Sequence, residues 1–148
     1  MSVSKDAVTS IIFDFALTFY NFIGLGHAKS QGHAIGRSLL SVLKEEGLKV
    51  QEFDSMAKDL KELLVDKYKV LSDLQVTKKD EYTVVVEAKG CFMLSVEKKL
   101  KEVGAEVFAC PITSMVMAAV EELFDIGTEY REFFISDDSC KITFGICK

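Results

Sequence analysis

Two cysteines stand where thiol chemistry is available. Cys110 precedes Pro111 at what reads as the start of a helix, and Cys140 opens the last strand. Backbone N–H groups at a helix N-terminus favour an anionic sulfur, which suits Cys110 to metal ligation or nucleophilic attack. Glu129 and Glu132 lie between the two thiols in sequence. Two thiolates and two carboxylates meet the demand of zinc for four ligands. Cys110, Glu129, Glu132 and Cys140 are therefore a candidate metal or reactive-thiol site at the edge of a core. The plainer reading makes each cysteine a small buried hydrophobe, the usual fate of a free thiol. That reading is stronger for Cys140, which shares an apolar strand face with Ile142 and Phe144.

Other chemistry-bearing residues form no comparable set. Cys91 and Cys147 complete the cysteines, and no C-x-x-C pair occurs, which excludes a zinc ribbon and a thioredoxin-type dithiol. His27 and His33 are six apart and do not share a helical face as an i, i+4 metal pair would. The glycines of GLGHAKSQGHAIG do not have phosphate-loop spacing, and no strand precedes them. No catalytic residues can be assigned. Phe92, Met93, Phe108 and Met115, with Met117, are candidates to line a cavity, against the plainer reading of ordinary core.

The elements that must position these residues follow from periodicity. A first helix is predicted over about Asp6 to Ile23, broken at Gly24-Leu25-Gly26, and a second over His27 to Glu46, capped by Gly47. Ala28, Gly32 and Gly36 fall on one stripe of the second, which permits close helix packing. A third helix begins near Asp54. Strands are predicted over Lys69 to Val76 and Tyr82 to Ala88, with Thr77 to Glu81 turning between them. A helix covers Leu94 to Glu102, another starts at Pro111, and a hairpin of Glu129 to Ser136 and Cys140 to Cys147 turns at Asp137-Asp138. A two-residue turn pairs Cys140 with Ile135. Glu129 then shares the face of Cys140, and Glu132 points away unless a bulge re-aims it. The sum is one α+β domain over residues 1–148, with helices on one side of a mainly antiparallel sheet of about four strands.

Bulk properties narrow the function classes. A net charge of −5 with no dense basic run argues against nucleic acid as a partner. The apolar run from Ala7 to Gly26 contains Asp14, and a charge at bilayer depth costs roughly 2.5–3.5 kcal/mol, so no membrane span is expected. No secretory signal is evident, which predicts a reducing cytoplasm and thiols that are free or metal-bound. Ile11, Ile12, Phe15, Phe19, Phe22 and Ile23 cover more than one helical face, as in a helix covered by a second subunit or by a central core.

With these residues in place, the chain resembles the 4-vinyl reductase family of small-molecule-binding domains. The resemblance rests on Cys110-Pro111, on Glu129 to Glu132 before a strand, and on Ser136-Asp137-Asp138-Ser139-Cys140-Lys141-Ile142-Thr143-Phe144. An apolar N-terminal helix and a helix with small-residue spacing from Gly32 to Leu43 extend it over nearly the whole chain. It implies an α+β domain of the type shared with trafficking-complex subunits and haem-based nitric-oxide sensors. It also implies a homodimer through N-terminal helices and a pocket for a hydrophobic or aromatic ligand. Phenol-sensing members hold zinc by cysteines and a glutamate; carried over, the ligands are Cys110, Glu129 and Cys140. Glu132 stands where many members have cysteine, and Ser136 where the family usually has glycine. Two enzymes are the rivals: a component of tetrapyrrole vinyl reduction, and a small-ring hydrolase with a similar Cys-Pro and Asp-Asp-x-Cys pattern. A dimeric assembly scaffold is the third class.

Overall fold

The computed structural model describes residues 5–105 and 110–147; within the first helix the side chains of residues 5, 6, 19, 20 and 22–32 fall outside that description. The first element corrects the reading of two N-terminal helices. Lys5–Glu45 is one helix, α1, and it runs through Gly24-Leu25-Gly26. Glycine lowers helix propensity by about 1 kcal/mol each relative to alanine but does not forbid the helix. At roughly 1.5 Å per residue, the 41 residues of α1 extend about 60 Å. Gly47, at φ 107°, ends it as expected, and the Leu48 N–H bonds back to the Leu43 carbonyl at 3.0 Å.

Helix α2, Phe53–Lys61, is capped by Glu52, whose carboxylate accepts from the Asp54 and Ser55 N–H groups at 2.9 Å each. It widens into a π-helical segment at Glu62–Lys67, and Lys69 then reverses the chain at φ 54°. Strand β1 is therefore Asp73–Asp80, four residues later than expected, and pairs with β2, Thr83–Lys89, across Glu81-Tyr82. Thr77 to Asp80 fall within the expected turn of Thr77 to Glu81. They are strand because β1 is an edge, where charged side chains meet water and discourage further pairing. Helix α3, Leu94–Glu102, and helix α4, Pro111–Phe124, lie where the periodicity put them. Strands β3, Thr128–Ile135, and β4, Ser139–Ile146, complete an antiparallel sheet in the order β1-β2-β4-β3.

One face of this sheet builds the core. Leu74, Val84, Val86, Ala88, Cys140, Ile142 and Phe144 are buried on it and join a cluster with Met56, Leu60, Ile112, Val116 and Val120 from the helices. The opposite face carries polar groups, among them the Lys141–Glu87 ion pair at 3.4 Å. The arrangement is α+β, with the helices on one side of the four-stranded sheet. Eight of the fourteen residues of α4 are buried, and α1 covers it at very close range. A β-carbon on Gly36 would stand 2.3 Å from the Ser114 carbonyl oxygen, so the two backbones meet there with no room for a side chain. Of the predicted small-residue stripe, Gly36 does make this contact, whereas the side chains at Ala28 and Gly32 are outside the described residues.

Candidate functional site

The β3–β4 hairpin decides the fate of the expected ligand set. Cys140 pairs with Ile135, as a two-residue turn requires, and Phe133 pairs with Ile142. A bulge then falls between Tyr130 and Glu132, so Tyr130 sits opposite Phe144 and Glu129 opposite Gly145. Glu129 is thereby moved to the outer face, where Glu132 already lies opposite Thr143, and both carboxylates are exposed. The physical reason is the company on the inner face. A regular register would place Arg131 against Phe144, and the bulge seats Tyr130 there instead. The Arg131 guanidinium lies across the outer face against Gly145 and donates from Nη1 to Thr83 Oγ1 at 3.1 Å. Cys110 and Cys140 are 6% and 2% exposed, and neither glutamate joins them.

A different carboxylate does. Glu97, in the first turn of α3, is 1% exposed and lies in the core. Its first turn carries Leu94, and Leu100 follows three residues later, so Glu97 occupies the apolar stripe itself. Neither carboxylate oxygen has a hydrogen-bond partner of ordinary length. Burial pushes its pKa up to about 7, and the nearby Cys110 thiol offsets part of that rise. Cys91, at the junction of β2 and α3 and 6% exposed, is the third buried thiol. Its sulfur accepts from the Met93 N–H at 3.4 Å.

Two hydrogen bonds join the segments that carry these groups. The Gly90 N–H donates to the Asp138 carbonyl at 2.8 Å, and Lys98 Nζ donates to the Asp137 carbonyl at 2.6 Å. The β2–α3 junction and α3 are thus fastened to the turn that leads into Cys140, itself opposite Ala88 of β2. The electrostatics report the same neighbourhood. Burial first, then the Glu97 charge, then Cys91, raise the thiol of Cys140 to about 12 and that of Cys110 well above its usual range. Burial likewise raises Cys91 to about 11, with a further contribution from Glu97. The hydroxyl and N–H of Thr113, in the first turn of α4, favour the Cys110 thiolate and work against this rise.

Zinc is the ion expected for such donors, and the donor chemistry fits: three sulfurs and a carboxylate whose buried oxygens are orphaned. The spacing is looser than ligation. Among the described residues no three His, Cys, Asp or Glu side chains are gathered closely enough to hold an ion as the chain stands. Of the cavity candidates, Met93 and Met115 are buried core, Phe92 is 39% exposed, and Phe108 lies outside the described residues. A cleft of about 390 Å³ between α1 and α4 is lined by Arg37, Leu40, Ser41, Lys44, Ala118, Glu121 and Glu122. Charged side chains frame it, with Lys44 and Glu122 paired at 2.6 Å. His33 faces Glu121 at 3.8 Å beside it, and the His27 side chain is outside the described residues.

Residues 9–146 match the family model described as the putative rubredoxin C-terminal domain. The chain belongs to that family. No curated protein matches it. The family description speaks of rubredoxin and not of vinyl reduction, and the match runs from within α1 to the end of β4. Two residues of its buried cluster, Cys91 and Glu97, were not among the expected site residues. Glu97 had one usable signal, its place on the stripe between Leu94 and Leu100.

Proposed function

We propose that this domain binds and senses a small hydrophobic or aromatic molecule, as a cytoplasmic homodimer, with a structural zinc beside Cys110. The observation that favours binding over catalysis is the state of the thiols. Cys91, Cys110 and Cys140 are buried and shifted upward, so at neutral pH each holds its proton and none supplies a nucleophile. A hydrolase working through Cys110 needs the reverse. A vinyl reductase needs a dinucleotide or other redox cofactor, for which the chain carries no fingerprint.

The resemblance to the 4-vinyl reductase domains supports the ligand class. Met93 and Met115, with flexible and polarisable side chains, supply packing that can adjust to a guest. All four cysteines are free thiols, which suits a reducing compartment, and no described helix is long and apolar enough to cross a membrane. The dimer reading rests on α1. Ile12, Phe13, Ala16 and Leu17 pack toward the core, while Val8, Ile11 and Phe15 stand out at 39%, 68% and 71% exposure. Their spacing makes one stripe, of the kind that packs against a second helix.

Native mass spectrometry of protein purified without added ligand tests the whole reading. A dimer that releases a non-covalent organic guest is expected. Bare monomeric chains, together with hydrolysis of a small-ring substrate that disappears in Cys110→Ala while the fold persists, would overturn it.

A further inference from the structure

The cleft between α1 and α4 carries a sharper assignment, resting on the reading of the domain as a binder of small molecules. We propose that this cleft holds a small zwitterion with an apolar body, of the α-amino-acid class, its carboxylate on Arg37 and its ammonium on Glu121. The lining follows from helical spacing. Arg37, Leu40 and Lys44 recur at i, i+3 and i+7 on one face of α1, and Ala118, Glu121 and Glu122 at i, i+3 and i+4 on α4. The two backbones meet at Gly36 and Ser114, and Lys44 ties to Glu122 further along. Along both helices the lining runs from just past that joint to that tie. The volume, about 390 Å³, suits a small-molecule site.

Charge accounting selects the guest. Lys44 and Glu122 neutralise each other at 2.6 Å. Glu121 accepts from the Thr128 N–H at 3.1 Å and the Thr128 hydroxyl at 2.7 Å, both on Oε1. These donors are neutral, so the charge of the carboxylate remains. His33 Nδ1 stands 3.8 Å from the same oxygen, an ion pair only when the histidine is protonated. Among the described residues, Glu121 Oε2 takes no hydrogen bond and the Arg37 guanidinium has no ion-pair partner. One cation on α1 and one anion on α4 thus line a common space without meeting. A lone carboxylate satisfies Arg37 and is repelled by Glu121; a lone amine meets the reverse. A molecule carrying both charges suits both, and Arg37 can offer its carboxylate two parallel N–H groups. Leu40 and Ala118, both buried, give the body an apolar floor.

The test uses the full chain, calorimetry at pH 8 and three matched probes: phenylalanine, 3-phenylpropanoate, which lacks the amine, and 2-phenylethylamine, which lacks the carboxylate. Phenylalanine should bind at least about tenfold more tightly than either. Arg37→Ala should remove its advantage over phenylethylamine, and Glu121→Gln its advantage over phenylpropanoate. Equal affinity for all three would overturn the charge assignment and leave the binding reading standing. So would a co-purified organic guest that phenylalanine does not displace. Binding of none of the three, with no guest released, would overturn both. The probe comparison is made on the unsubstituted chain, so it decides the assignment even where Glu121→Gln, which also loosens Thr128, fails to fold.

Discussion

A carboxylate buried in the core, with the Cys110 thiol giving only partial support to its charge, must either keep its proton or meet a cation. Without metal, Glu97 keeps its proton to about pH 7, against a usual value of 4.5, because burial opposes its charge. The native state then binds more protons than the unfolded chain between those values, so stability falls as pH rises through that window. Chelator-treated protein is expected to lose on the order of 2–3 kcal/mol between pH 4.5 and pH 7.5 from this group. Urea unfolding at several pH values checks it, and Glu97→Gln should flatten the profile. A constant unfolding midpoint in the unsubstituted chain across that range would show that Glu97 is not buried in this way. The thiols give a second expectation. Cys147 is exposed and the other three cysteines are buried. An aromatic disulfide reagent at neutral pH should label one thiol per native chain rapidly and four after unfolding. Rapid labelling of all four without unfolding would contradict the buried cluster.

Between elements, the tightest joint is Gly36 of α1 against the Ser114 carbonyl of α4. Gly36→Ala is expected to destabilise the domain by about 1–3 kcal/mol, since two helix backbones must part to admit a methyl group. Gly145→Ala should cost less, because its β-carbon would meet the end of the flexible Arg131 side chain. Paired thermal melts separate the two, and equal effects would speak against the α1–α4 contact. The same elements show what could be read in advance. The hairpin and the Cys140–Ile135 pairing were legible because Ile142, Phe144 and Ile146 alternate with polar residues. The bulge was not, since Thr128 to Glu132 alternates too weakly for one extra residue to leave a trace, and that residue alone sends Glu129 outward. Glu97 was hidden for another reason. In LSVEKKLKE it sits beside Lys98, Lys99, Lys101 and Glu102, and sequence alone groups it with their solvated face. The continuity of α1 was obscured by two glycines whose cost the helix absorbs along its length.

For the molecule as a whole, α1 is the element that outgrows the domain. It covers α4 over its C-terminal half and lies along α3 nearer its start, where the Phe13 ring sits 5.8 Å from Lys99 Nζ. Its outward Val8, Ile11 and Phe15 are the proposed meeting surface of two copies. Phe15→Asp is expected to convert a dimer into a monomer on size exclusion with light scattering, with the far-ultraviolet spectrum preserved. An unchanged mass would remove this stripe from the interface. The placement of Phe13 gives that surface a spatial meaning. Residues 8, 11 and 15 face out within a turn or two of Phe13, so a partner seated on them would lie about one helix diameter from the segment bearing Glu97. Two subunits clasped along this rod would close beside the interior, as a hand on a handle closes beside the jaw behind it.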